Sequence, residues 1–339
     1  LRGKTFENAH VFVVGGSAGS IEFLRKLLPQ LPPDLQAAIF IVVHLKRSRP
    51  SNLATVLNKS SRLPVCSVTD QSPIEIGRVY VAPADFHLYL KADKMRLIRG
   101  PLENHTRPAI DVLLRSAAVA YREYVTGVIL SGMLDDGTEG LQAIKRCGGM
   151  AIVQSPEDVS FTSMPKQAIA HNDADYVVPV SKMGPLLKRT QHPPLNTTTV
   201  PKELRLESQM VERKTGGADK MAVIGEMVPQ SCPGCGGSLW EISHSQTLRY
   251  RCHIGAFTAQ ALAETQDTAV EEALWIALKN LRRKRTAPQT HERRQLSDRT
   301  VHQSRAISIT TLEAVHYDES VRQLVYSLGQ PDTLCRPLG

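Results

Sequence analysis

HVFVVGGSAGSIEFL, residues 10–24, passes from a short apolar run through a Gly/Ser turn into a helical pattern. Residues 10–14 read as a buried strand and residues 21–28 carry helical spacing. Outward from this stretch the same alternation repeats. Residues 38–43 (AIFIVV) form a second buried strand ending at His44. Residues 125–131 (VTGVILS) form a third, followed by a Gly/Asp loop and a helix through Lys145. Pro108 suits the first turn of a helix over 109–121. Residues 150–153 and 176–178 supply further strands, while residues 79–82 and 88–97 are shorter and more alternating, as hairpin material is. The pattern predicts an α/β fold: a doubly wound, mainly parallel sheet with an antiparallel hairpin.

The 339 residues leave room for about two domains, and 42% hydrophobic content is ample for a core. No run approaches the ~18 uncharged apolar residues of a membrane span. The first ten residues lack the basic-then-apolar pattern of a secretory signal. The chain begins with Leu rather than Met, which leaves room for sequence ahead of it. Six cysteines at irregular spacing do not form a disulfide framework, so a reduced cytoplasm is the expected compartment. The net charge of +8 is concentrated: between residues 279 and 305 nine Lys/Arg face only Glu292 and Asp298. The basic character therefore belongs to a tail, and without interleaved aromatic residues that tail is a poor nucleic-acid surface.

Within residues 10–24, Gly15, Ser17 and Gly19 fit G-x-S-x-G, with a strand before and a helix after. Small neighbours permit a tight turn that projects the Ser17 hydroxyl. The helix start beyond it offers unpaired N–H groups, that of Ala18 among them, to a developing oxyanion. A Gly-rich strand–helix turn can instead cradle a phosphate. The spacing is not G-x-G-x-x-G, however, and the second strand ends in His44 where dinucleotide-binding folds place an acid. Taken alone, His44 fits a structural histidine, and the Asp135-Asp136-Gly137 loop fits a helix-capping turn. Their shared position changes that reading. Ser17, His44 and Asp136 each follow a parallel strand, at the end of the sheet where functional residues gather. Together they compose a nucleophile, a base and an orienting carboxylate. The chain order Ser–His–Asp differs from that of α/β-hydrolases.

The segments at 13–24 (VVGGSAGSIEFL), 42–45 (VVHL), 77–88 (GRVYVAPADFHL), 107–118 (RPAIDVLLRSAA) and 127–141 (GVILSGMLDDGTEGL), with those at 148–161 and 164–170, resemble the catalytic domain of CheB-type chemotaxis methylesterases. The resemblance is collinear over roughly residues 10–190. It implies a cofactor-independent serine hydrolase that releases methanol from glutamate γ-methyl esters on methyl-accepting chemotaxis receptors, with glutamine deamidation in many members. It places the triad on Ser17, His44 and Asp136 and the family's active-site methionine on Met133. Thr106 departs from the pattern, standing where the family usually has His before Arg-Pro, with His105 one residue early. With about ten residues ahead of the first strand, the resemblance is to a stand-alone esterase domain without a receiver. That absence leaves open a different ester or amide substrate; the Thr106 departure, with those of the Cys-bearing C-terminal segment, leaves open a weakly active signalling scaffold.

The expected domain organisation is an esterase domain at 1–190, a linker at 191–225, a Cys-bearing knuckle at 226–258, a helix at 259–286 and a basic tail at 287–339. Cys232-Pro-Gly-Cys235 followed by Cys252 and His253 looks like a zinc ribbon, two thiolates on a tight turn and a third on a returning hairpin. The family's usual closing Gly-His is absent, leaving His253 or His244 as fourth-ligand candidates, and reduced, metal-free cysteines remain the alternative. Any zinc here is structural. Leu262, Ala269, Ala273, Leu274, Ala277, Leu278 and Leu281 form an apolar stripe on the helix, suited to core or coiled-coil packing.

Overall fold

The computed structural model describes residues 9–45, 51–91, 94–171, 174–190, 198–212, 218–252 and 255–286. The basic tail at 287–339 and His253 lie outside the described residues. The chain opens with β1 (His10–Gly16), α1 (Ser20–Leu27), β2 (Ala37–Val43), α2 (Leu53–Asn58), β3 (Val65–Ser67), β4 (Val79–Val81), β5 (His87–Lys91) and β6 (Lys94–Ile98). It continues through α3 (Ile110–Tyr121), β7 (Val125–Ile129), α4 (Thr138–Arg146), β8 (Met150–Gln154), α5 (Ser163–His171), β9 (Tyr176–Val178) and α6 (Val180–Arg189).

Seven strands form a parallel sheet in the order β3-β4-β2-β1-β7-β8-β9. All seven residues of β1 and of β2 are buried, as central strands covered on both faces must be. Alternate residues serve opposite faces. Val11, Val13, Phe40 and Val42 pack with Ile110, Leu113 and Leu114 of α3 and with Leu141 and Ile144 of α4. Phe12, Val14, Ile39 and Ile41 pack with Leu24 and Leu27 of α1, Leu57 of α2 and Leu187 of α6. At Gly15 a Cβ would stand 2.2 Å from Ile110 Cγ2, so only glycine lets the first turn of α3 settle on the end of β1.

Residues 88–91 and 94–97 pair as the expected antiparallel hairpin, β5–β6. Residues 79–82 do not. β4 joins the main sheet, parallel to β2 and β3, and its three residues are too few for periodicity to distinguish the two roles.

The segment expected as a linker carries α7 (Lys202–Glu212) and α8 (Ala218–Ile224). The buried face of α7 is Leu204, Glu207, Ser208 and Val211; the spacing is helical, but half of it is polar, which masked the stripe. An antiparallel sheet follows, in the order β10 (Gly225–Ser231), β11 (Ser238–Ile242), β12 (Arg249–Arg251) and β13 (Ala256–Thr258), and then α9 (Ala259–Thr286). One compact unit runs to Leu262 and takes in this ribbon; a second begins at Ala263. On α9, Leu262 and Leu278 of the expected stripe are buried and Leu274 is half-buried, whereas Ala273 and Ala277 of the same stripe are exposed, as are Trp275 and Ile276.

Inside the first unit a buried ionic network joins five segments: the loop at Glu103, α3, α4, α7 and β12. Arg115 of α3 bonds Glu103 at 2.6 Å. Arg251 of β12 reaches Glu103 at 3.2 Å and Glu207 at 3.3 Å, and Arg249 reaches Glu207 at 3.0 Å and Glu139 of α4 at 3.2 Å. Burial pushes the Glu207 carboxyl up, but Arg249, Arg115 and Arg251 outweigh it and hold it down at about 2. Because its folded value lies below the ordinary 4.5, the stabilisation is complete at neutral pH and is lost as pH falls toward about 2. Glu207→Gln leaves buried guanidinium groups short of countercharge and should cost roughly 3–5 kcal/mol by urea unfolding at neutral pH. The gap to wild type should narrow in acid; a gap unchanged by acid would reject this role for Glu207.

Candidate active site

The sheet order places β2 and β4 on one side of β1 and β7, β8 and β9 on the other. Loops leaving the carboxyl ends of strands around such a reversal enclose a crevice. Ser17 follows β1, His44 follows β2 and Asp136 lies in the loop between β7 and α4. The three side chains are thus delivered to one rim by three adjacent strands.

Ser17 is fixed from both sides. Its N–H donates to the Ser131 carbonyl beyond β7 at 2.9 Å, and its own carbonyl accepts the Ser20 hydroxyl at 2.6 Å. Gly19 begins α1 at φ 79°, a left-handed conformation that glycine adopts without strain. Ser17, Ala18, Gly19, Glu22 and His44 line an open cleft of ≈ 470 Å³. The Ala18 carbonyl accepts the Ser131 hydroxyl at 2.7 Å, and its N–H has no acceptor among the described residues. No hydrogen bond joins the Ser17 hydroxyl to the His44 ring among the described residues, although both face this cleft. Such contacts commonly tighten only with substrate in place. Met133, on the loop after β7, is 57% exposed.

His44 is positioned by its backbone N–H on the Gly16 carbonyl, 3.2 Å, and its Nε2 lies 2.7 Å from Asp136 Oδ2. Asp136 is 1% exposed behind it. Its Oδ2 also accepts the Ile110 N–H at 2.7 Å; the Thr106 hydroxyl lies 3.4 Å away and has a nearer acceptor in the Glu103 carbonyl, at 3.1 Å. Its Oδ1 accepts the Asp111 N–H and the Asn104 Nδ2, each at 3.2 Å. The carboxylate therefore sits on the N-terminus of α3, where free N–H groups and the helix dipole favour negative charge. Burial pushes its pKa up; the hydrogen bond and charge of His44 and the two backbone N–H groups outweigh it and hold the carboxyl below its usual range. Asp111 behaves oppositely. Burial first, then the charges of Asp136 and Glu139, push it well above the usual range.

Asn104, Asp111 and the start of α3 are absent from the candidate residues read from sequence. Only the proline-marked helix start hinted at them, and nothing local to Asn104 did. His105 turns away: its Nε2 bonds the Ala261 carbonyl at 2.7 Å and its ring lies 5.9 Å from that of Phe257. It does not take the place of the histidine replaced by Thr106; Thr106 itself lies beside Asp136.

Away from the cleft, the Cys232, Cys235 and Cys252 sulfurs all lie within 4.8 Å of one another. Zn–S bonds of about 2.3 Å require that kind of convergence. The tight turn closes through Gly236 N–H on the Cys232 carbonyl, 2.8 Å, with Gly236 at φ 70°. The Cys252 sulfur accepts the Gly255 N–H at 3.2 Å, a contact that also suits a thiolate. His244 is not part of this cluster among the described residues.

Comparison with known proteins agrees with the geometry. A family model described as "CheB methylesterase" matches residues 12–187, half of the chain. A putative protein-glutamate methylesterase/protein-glutamine glutaminase of Leptospira interrogans is 36% identical over 183 residues, 54% of this chain and 95% of that protein. The protein-glutamate methylesterase/protein-glutamine glutaminase of Thermotoga maritima is 36% identical over 184 residues, 53% of this chain and 54% of its own length. The crystal structure of the Thermotoga maritima CheB methylesterase catalytic domain superposes with a TM-score of 0.52 at 36% identity, covering 53% of this chain and 98% of that domain. The seven-stranded parallel sheet is thus that of a known methylesterase catalytic domain, and the chain belongs to the CheB methylesterase family.

Proposed function

We propose that this chain hydrolyses glutamate γ-methyl esters on methyl-accepting chemotaxis receptors by covalent catalysis at Ser17. The supporting observation is the 2.7 Å bond between His44 Nε2 and a buried Asp136, at the cleft that Ser17 lines. With Nε2 occupied by Asp136, Nδ1 is the nitrogen that takes the Ser17 proton as the hydroxyl oxygen attacks the ester carbonyl. Asp136 orients the ring and balances the positive charge it gains. The Ala18 N–H, at the start of the turn into α1, is the donor offered to the tetrahedral oxyanion. Collapse of that intermediate returns the proton to the leaving methoxide and releases methanol. Water then attacks the acyl-serine with His44 again as base, freeing the glutamate carboxylate and restoring Ser17. A glutamine side chain entering the same cleft would lose ammonia by the same steps. Met133 stands exposed beside the Asp136 loop, where it can pack on the arriving receptor helix.

The described residues contain no helix long and apolar enough to cross a membrane. We place the enzyme in the cytoplasm, acting on receptor segments presented there. Cys232, Cys235 and Cys252 would hold a structural zinc, with the fourth ligand outside the clustered residues. Bound there, a zinc would tie the β10–β11 turn to the end of β12 through these three thiolates, and no step of the hydrolysis would use it.

Methanol release from membranes bearing methylated receptors tests the reaction. Ser17→Ala should lower turnover by roughly 10⁶-fold, and equal release by variant and wild type would sink the assignment. Asp136→Asn should cost roughly 10⁴-fold with the fold intact; near-normal turnover would remove Asp136 from the mechanism. Elemental analysis should find about one zinc per chain in wild type and far less in Cys235→Ser; wild type without zinc would dismiss the metal reading.

A further inference from the structure

The loop carrying Asn104 is built into the ribbon as well as into the esterase domain. Glu103 bridges Ala256 of β13 in parallel fashion, and the Asn104 N–H donates to the Ala256 carbonyl at 3.1 Å. The Thr258 N–H donates to Asn104 Oδ1 at 3.0 Å, and the Thr258 hydroxyl donates to Asp135 Oδ1 at 3.0 Å. Arg251 of β12 pairs with Glu103 from the same side. Asn104 itself is 6% exposed and held at φ 48°.

An asparagine amide has one accepting and one donating end, and the orientation of this one is dictated. With Oδ1 receiving the Thr258 N–H, both hydrogens of Nδ2 are left for the two buried carboxyl groups, Asp111 Oδ2 at 2.9 Å and Asp136 Oδ1 at 3.2 Å. The reversed amide would set oxygen against the Asp136 carboxylate and nitrogen against the Thr258 N–H. The N–H of β13 thus selects the orientation in which Asn104 supports Asp136.

We propose that the end of the ribbon, Ala256 to Thr258, is a working part of the esterase site, with Asn104 as the positioning residue that conveys its hold to Asp136. The proposal rests on the reading of Asp136 as the partner of the catalytic His44. It goes beyond that reading by making a segment outside the matched residues 12–187 necessary for full turnover. Asn104 touches no substrate. It keeps the Asp136 carboxylate aimed at Nε2, so its loss should slow chemistry and leave substrate binding unchanged.

The experiment uses the full chain and two readouts: kcat and KM for methanol release from methylated receptor membranes, and the downfield proton resonance of the His44–Asp136 hydrogen bond by NMR. Asn104→Ala should lower kcat by roughly 10- to 100-fold, as loss of a hydrogen bond to a charged group does, with KM within about twofold. The resonance should shift or broaden. Asn104→Asp preserves the acceptor for Thr258 but sets oxygen against Asp136, and it should be slower than Asn104→Ala. Thr258→Pro removes the N–H, and Thr258→Val controls for the side chain. Relative to that control, Thr258→Pro should slow wild type yet add nothing in the Asn104→Ala background. Wild-type kcat with an unmoved resonance in Asn104→Ala would overturn the proposal, as would effects of residues 104 and 258 that simply multiply. Because the resonance is read without turnover and should persist in Ser17→Ala, a failure of the clamp is distinguishable from a failure of the esterase reading.

Discussion

A carboxylate that is 1% exposed keeps its charge only where donors replace the water it has lost, and Asp136 has four. Two are backbone N–H groups at the start of α3, one is the His44 ring, and one is the Asn104 amide. This arrangement makes demands on the rest of the fold. α3 must descend onto the end of β1, which the missing side chain of Gly15 permits. The loop after β7 must turn sharply toward it, which Leu134 at φ 62° and Gly137 at φ 101° accomplish. The loop ahead of α3 must be held still, and the ribbon holds it.

The second conspicuous feature, the buried charge network, is best understood beside the first. Glu103 and Glu207 are held as carboxylates by Arg115, Arg249 and Arg251, while Asp111 and Glu139 are pushed toward their neutral forms. Buried ion pairs seldom add much net stability against apolar packing, because each charge must first be desolvated. What such a network does supply is register. Long guanidinium groups from β12 find their partners only when the ribbon sits at one place against α3, α4 and α7. In that place the β13 backbone meets Asn104.

Much of the candidate active-site face was legible in the chain because its strands are central. β1, β2 and β7 are buried on both sides and so read as unbroken apolar runs, and residues just beyond their ends mark the functional rim. Ser17, His44 and Asp136 stand out for that reason. β4 reads as hairpin material because three residues carry no usable period. α7 reads as linker because Glu207 and Ser208 occupy its inward face, where apolar residues would mark a helix. Asn104 was invisible for a deeper reason. Its partners are 7, 32 and 154 positions away, and no local pattern announces an amide bonded to them.

The most direct measurement of the central claim is the site and rate of modification by a fluorophosphonate, which captures an activated serine. The account predicts a single phosphonyl adduct on the peptide containing Ser17, formed far more slowly in Asp136→Asn. An adduct on another residue, or labelling of folded protein at the same rate without the Asp136 carboxylate, would contradict it.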